Sequence, residues 1–213
     1  MSRELINRIL TSIVLAAVFL NCLFINNYSW VFLLTVVSLI CWFEFINLSR
    51  RIWKKRTIII LPIIISFIIL SIFLYSAYKI KVDYDEITIL FIILVCIFSD
   101  IGGYIVGKSI GGKKLTKISP NKTVSGSVGS FLFSLFPAGI FSIFFSKVTE
   151  NEIFLCLILS FACQLGDLFI SYFKRLAKVK DTGNILPGHG GMLDRIDGII
   201  FAILITIFFK HLL

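Results

Sequence analysis

Charge is what this chain has least of. Only 15% of its 213 residues are Asp, Glu, Lys or Arg, whereas 58% are hydrophobic, and no polar block of domain size interrupts the apolar sequence. That much apolar surface cannot be hidden inside one water-soluble core, so lipid must be the solvent. Without a polar block there is nothing from which to build a soluble appendage, and we expect one membrane-embedded domain. The five cysteines, Cys22, Cys41, Cys96, Cys156 and Cys163, lack Cys-x-x-Cys or Cys/His spacing and lie inside apolar runs. Neither a disulfide framework nor a zinc site is indicated. Arg3 and Arg8 precede an apolar stretch, but Phe19-Leu20-Asn21-Cys22 has no small residues for cleavage, so the segment reads as an uncleaved first membrane helix. Internal repeats and disordered tracts are also lacking.

What is present is a series of apolar runs. A span needs about 20 mostly apolar residues, and runs of that order lie near 9–26, 30–48, 57–77, 87–107, 124–145, 152–173 and 192–210. They predict an all-α, polytopic membrane helix bundle of about seven transmembrane helices in one domain, with N-terminal helices to residue 86 and, from 87 to 213, the helices and loops that carry the acids and glycine-rich segments. Asn26-Asn27-Tyr28-Ser29 leaves room only for a tight hairpin between the first two. Pro62 and Pro137 fall inside runs and predict kinks.

The net charge of +9 could suit nucleic acid, but its distribution excludes that. Basic residues sit in short loops between apolar runs, which is a topology signal. With a cytoplasmic N-terminus, Arg3, Arg8, the Arg50–Arg56 cluster, the Lys108–Lys122 loop and the Lys174–Arg195 segment share one side. Those regions hold 17 of the 21 Lys and Arg, and only Lys79, Lys81, Lys147 and Lys210 lie opposite. Both glycine-rich polar loops then face the compartment that holds nucleotides.

Acids at membrane depth carry the most information, because an Asp in a span costs about 3 kcal/mol and persists where it has a partner or a function. Asp100, Asp167, Asp194 and Asp197 qualify. Asp194 and Asp197 are three apart, so on a helix they share a face and could hold a hard cation, with Asp167 meeting them from the preceding span. Beside Lys174, Arg175, Lys178 and Lys180 they form a site of mixed sign suited to magnesium and phosphates. The plainer reading is that these acids pair with Arg195 or Lys174 merely to close the bundle. Between the acids, Gly188, Gly190 and Gly191 free the backbone to approach a ligand and to aim N–H groups at phosphate where the last helix begins.

Ser171-x-x-Lys174-Arg175, Lys180-Asp181-x-Gly183, Leu186-Pro187-Gly188-His189-Gly190-Gly191 and Asp194-Arg195-x-Asp197 together resemble the C-terminal signature of the phosphatidate cytidylyltransferase family. A second block, Ser99-Asp100-x-Gly102-Gly103-Tyr104 through Ser119-Pro120-x-Lys122-Thr123, resembles its central region. The resemblance implies transfer of a cytidylyl group from CTP to phosphatidate, with Mg2+ required, in a bacterial inner membrane and as a homodimer. It carries the metal-binding role onto Asp167, Asp194 and Asp197, and phosphate binding onto Lys174 and Arg175. Substrate contacts are implied for Asp100, Ser119, Lys122, Thr123, Lys180, Asp181, Gly188, His189, Gly190, Gly191 and Arg195. Two positions depart from the family's usual Glu: Ser125 and Ile170. A CTP-dependent transferase or kinase for another lipid is the alternative within enzymes, and a transporter using its acids as an ion path is the alternative outside them. Gly102, Gly103 and Gly107 taken alone read as close helix packing, and Glu44 as a structural acid of an early span.

Overall fold

Each of the seven apolar runs forms helix in the computed structural model, in which residues 3–145, 150–188 and 190–209 are described. The elements are α1 (Arg3–Ile25), α2 (Asn27–Ile52), α3 (Arg56–Asp83), α4 (Glu86–Ile110), α5 (Val124–Phe133), α6 (Phe136–Phe145), α7 (Glu150–Leu176) and α8 (Leu193–Thr206). Among the described residues the fold is all-α, and five segments are long and apolar enough to cross a membrane: Asn27–Ile52, Thr57–Asp83, Glu86–Ile110, Val124–Ile143 and Asn151–Leu176. The protein is thus a multi-pass membrane helix bundle. In the α3 window only 17% of residues are buried, and Ile60, Leu61, Ile64 and Phe67 turn outward. An apolar face of that extent is stable only against lipid.

The run expected at 124–145 is interrupted, giving α5 and α6. Pro137 is the reason: it has no N–H to offer the Phe133 carbonyl, and its ring clashes with a helical carbonyl four residues back. The helix therefore stops at Phe133, and Ser134 turns its hydroxyl onto the Phe131 carbonyl at 2.7 Å. Pro137 lies in the first turn of α6, where a missing donor costs nothing, so the expected kink is a break. Pro62 stands inside α3, which continues through it.

The chain packs as two compact units, one of residues 1–82 with 173–196 and the other of 83–172 with 197–213. In the first, α1 and α2 form the expected hairpin, tighter than the four-residue link allowed for, with Asn26 alone between them. Its side chain caps α2 by accepting from the Ser29 amide at 2.7 Å. Lys81 is buried because its ammonium donates to the Leu23 and Asn26 carbonyls, at 2.5 and 3.2 Å, where the α1 C-terminus leaves acceptors unsatisfied. The Trp30 indole donates to the Ala77 carbonyl and that of Trp42 to Ile63, both at 3.3 Å, the reversed order of an antiparallel α2–α3 pair.

In the second unit α4 and α5 meet along a seam of small residues. A β-carbon on Gly103 would lie 2.6 Å from the Ser130 hydroxyl, and one on Gly126 would lie 2.8 Å from the Gly103 carbonyl. Between helices in lipid, where burial against a partner gains little over burial in acyl chains, such close approach supplies the association energy. Farther along, Gly166 brings α7 onto α8, since a β-carbon there would lie 2.5 Å from the Asp197 carbonyl.

The seam predicts that Gly129→Val, whose added carbon would lie 2.5 Å from Val106 Cβ and 2.7 Å from the Gly102 carbonyl, destabilises the protein by about 1–3 kcal/mol. Thermal unfolding in detergent measures this. An unchanged midpoint would show that α4 and α5 can separate at no cost.

Candidate active site

In the second unit, α4, α5, α7 and the lysine-rich loop enclose a cavity of about 330 Å³. Helical spacing brings Asp100, Gly103 and Tyr104 of α4 to one face, and Gln164 and Asp167 of α7 to another, both lining it. Ser119, Asn121, Lys122 and Thr123 come from the loop, which is built to present them. Its two arms join where the Leu115 amide donates to the Lys122 carbonyl and the Val124 amide to the Lys113 carbonyl, at 2.8 and 3.0 Å. A turn closes between Ser119 and Lys122 at 3.0 Å, with Pro120 inside it. Thr123 then caps α5 by accepting from the Gly126 amide at 3.0 Å. The Ser125 hydroxyl lies 3.0 Å from that of Thr123 and donates to the Gly111 carbonyl, tying the two together.

One lysine faces two carboxylates in this cavity. Lys122 forms an ion pair with Asp167, and Asp167 also accepts from the Ser171 hydroxyl one turn on, at 3.2 Å. Asp100 accepts from the Cys163 thiol at 3.7 Å. Gln164 accepts from Ser127 at 2.5 Å and donates to Ser160 at 3.3 Å, and Ser160 pairs with Ser99 at 2.8 Å. This polar row fixes the amide of Gln164 at the cavity wall. The sequence reading missed Gln164, although its position three residues before Asp167 places it on the same helical face.

The signature segment lies in the first unit. There α7 ends in a left-handed turn at Lys178, φ 56°, with the Lys178 amide donating to the Arg175 carbonyl at 3.1 Å and the Val179 amide to the Lys174 carbonyl at 3.0 Å. This paired closure is the usual way a helix stops sharply. The loop that follows folds on Asp194. Its Oδ1 accepts from Lys174 at 2.8 Å, and its Oδ2 from the Thr182 amide at 2.7 Å, the Thr182 hydroxyl at 3.0 Å and the Gly191 amide at 3.1 Å. Leu186 and Gly190 exchange backbone bonds at 2.9 and 3.2 Å, and Gly190, φ 89°, takes a conformation suited to glycine. The remaining amides of the turn into α8, those of Met192 and Leu193, are taken by Glu44, at 2.9 and 2.8 Å. Of the glycine amides that the sequence reading aimed at phosphate, that of Gly191 meets Asp194 and that of Gly190 the Leu186 carbonyl.

The expected site residues thus separate into two groups. Asp100, Ser119, Lys122, Thr123 and Asp167 meet around the cavity of the second unit. Lys174 and Asp194 meet in the first unit, and Gly188, Gly190 and Gly191 belong to the same loop. Arg175, Lys180, Asp181 and Arg195 are exposed there, Asp181 packing against Gly190. Asp197 is buried in α8 of the second unit and accepts from the Gly198 amide at 2.9 Å. His189 lies outside the described residues. Among the described residues no three His, Cys, Asp or Glu converge to hold a metal ion. The second unit's cavity nevertheless offers two carboxylates with hydroxyl and amide oxygens. That donor set fits a hard cation such as Mg2+, which usually takes one or two carboxylates and completes its shell with water and phosphate.

Residues 63–213 match the model of the cytidylyltransferase family, over more than half of the chain and including both groups of site residues. The chain belongs to this family. Among its relatives, the phosphatidate cytidylyltransferase of Rickettsia bellii is 39% identical over 210 residues, 94% of this chain and 86% of the relative. That of Bacillus subtilis is 47% identical over 127 residues, 57% of this chain and 47% of the relative. A Helicobacter pylori relative of the same name is 36% identical over 132 residues, 62% of this chain and 48% of the relative. Against these last two, the chain spans about half of the relative's length. Family membership and the bundle of apolar helices agree, since both cavity and loop are carried on membrane helices.

With side chains only 12% and 4% exposed, Lys174 and Asp194 form a buried pair. Asp194→Asn should strand the ammonium and cost about 3–5 kcal/mol, seen as a lower unfolding midpoint and faster hydrogen exchange in the loop at 180–192. Wild-type exchange in that loop would remove Asp194 as its organiser.

Proposed function

We propose that this chain transfers a cytidylyl group from CTP to phosphatidate, giving CDP-diacylglycerol and pyrophosphate for phospholipid synthesis. The observation that carries the reading is the cavity in which the Lys122–Asp167 ion pair sits among Asp100, Ser119 and Thr123, inside the region matched to the family. Such a cavity suits a phosphate chain with its counter-cation. The relatives' names supply the lipid.

A phosphatidate oxygen is already an anionic nucleophile, so it needs little help from a general base. It attacks the α-phosphorus of CTP as the bond to the bridging α–β oxygen breaks and pyrophosphate leaves. The barrier is repulsion between two anions, and catalysis is alignment and charge neutralisation. Lys122 meets a phosphate oxygen with its ammonium, and the Ser119 and Thr123 hydroxyls orient the chain. Lys174, held by Asp194 in the other unit, and the exposed Arg175 keep the expected phosphate-binding role on the motif alone. Mg2+ would be held by Asp167 with Asp100 and would neutralise phosphoryl oxygens. Asp167 is the member of the expected metal-binding trio whose surroundings support that role; Asp194 and Asp197 keep it on the motif alone. The skew of Lys and Arg and the bacterial relatives support a bacterial inner membrane, with the site facing the cytoplasm. The homodimer implied by the resemblance belongs to the same proposal.

Purified protein given Mg2+, CTP and phosphatidate should release pyrophosphate, and an inactive preparation beside an active relative would overturn the reading. Asp167→Asn should lower turnover at least about 100-fold while the protein still inserts. Lys122→Ala should raise KM for CTP. Wild-type kinetics in both variants would remove the cavity from the reaction.

A further inference from the structure

Glu44 is 3% exposed on α2, in an apolar run where an ionised side chain is costly. Its carboxylate accepts three donors from one distant loop: the Thr182 hydroxyl at 2.9 Å, the Met192 amide at 2.9 Å and the Leu193 amide at 2.8 Å. The loop is shaped around it. A β-carbon on Gly183 or on Gly191 would lie 2.6 Å from a Glu44 carboxylate oxygen, so both glycines are needed for the loop to close on this side chain. Capping the first amides of a helix explains part of the arrangement, but a neutral acceptor would do that at lower cost.

Thr182 shows what more is linked. Its hydroxyl lies 2.9 Å from Glu44 Oε2 and 3.0 Å from Asp194 Oδ2, and it has one proton for two carboxylates. Whatever Glu44 does to Thr182 is therefore felt by Asp194, whose other oxygen holds Lys174 at 2.8 Å. We infer that Glu44 is a positioning residue for the transfer reaction, fixing Thr182 and the start of α8 so that Asp194 presents the Lys174 ammonium in one place. The inference rests on the reading that this loop serves cytidylyl transfer.

Glu44→Gln retains size but presents an NH2 group to a pocket filled with donors, so the loop should loosen without a cavity being left. The expected result is a kcat about 10- to 100-fold lower, the loss a displacement of about 1 Å can cause, with KM for CTP changed much less. Hydrogen exchange should accelerate over 182–193 and stay unchanged in α4 and α5. Thr182→Val should lower kcat similarly, and the double variant should be little worse than either single one, because both cut the same linkage. Wild-type kcat in Glu44→Gln overturns the inference, as does an activity loss that only follows the folded fraction with exchange over 182–193 unchanged. If Glu44→Gln does not insert, Thr182→Val decides: wild-type kcat in it overturns the inference. Wild-type protein in the same assay separates the two levels, since failure there sinks cytidylyl transfer, while exchange in Glu44→Gln still reports whether Glu44 holds the loop.

Discussion

A carboxylate carried into apolar surroundings must find donors, and the polar half of this protein is organised around that requirement. Water is scarce at membrane depth, and an unpartnered charge there costs more than any single packing contact returns. Asp194 meets the requirement with a lysine, a hydroxyl and two amides. Glu44 meets it with two amides and the same hydroxyl. The segment between α7 and α8 has almost no regular structure, and its conformation is the one that brings those donors to those acids. Placement of the acids thus comes first, and the loop follows from it.

In the second unit the same requirement is met differently, by helices that approach closely enough for short side chains to matter. The glycines shared by α4 and α5 bring the two backbones together, and α5 starts directly at Thr123, the end of the lysine-rich loop. Lys122 is therefore delivered by the helix seam as much as by its own loop. Were the helices farther apart, the turn at Ser119–Lys122 would shift with α5, and Lys122 would lose its reach to Asp167. Packing in lipid and presentation of charge are one construction here.

The helices were legible because hydropathy leaves little choice: a run of that length must be helical if its backbone is to be satisfied in lipid. Pro137 was legible as an irregularity, but whether it kinks or breaks a helix depends on neighbours that spacing does not reveal. The close packing at Gly102, Gly103 and Gly107 could be read because small residues at that spacing have one common use in membranes. Asp194 with Lys174 was one of two readings left open, and the ion pair is the plainer of them. Glu44 was noticed as an acid in a span and set aside, since its partners lie about 140 residues away and no periodicity links them. The partners of the glycine-rich turn were out of sight for a related reason. Glycine-rich turns entering helices often bind an outside anion, and spacing does not reveal that Asp194 takes the Gly191 amide and Glu44 those of Met192 and Leu193.

The Lys122–Asp167 pair shows how a partly solvated cavity can hold opposite charges ready for a polyanion. Each partner neutralises the other, so neither is left as an uncompensated charge in apolar surroundings. On the proposed reading, Lys122 turns to a phosphate oxygen and Asp167 to the counter-cation that accompanies it. Two pairs of opposite charge then stand where one stood, and the cavity's net charge changes only by the residual charge of the ligand pair. With side chains 27% and 36% exposed, the pair is partly solvated and opens at modest cost. Phosphate and cation together would replace both halves of the pair, whereas either alone would leave the other side chain to water.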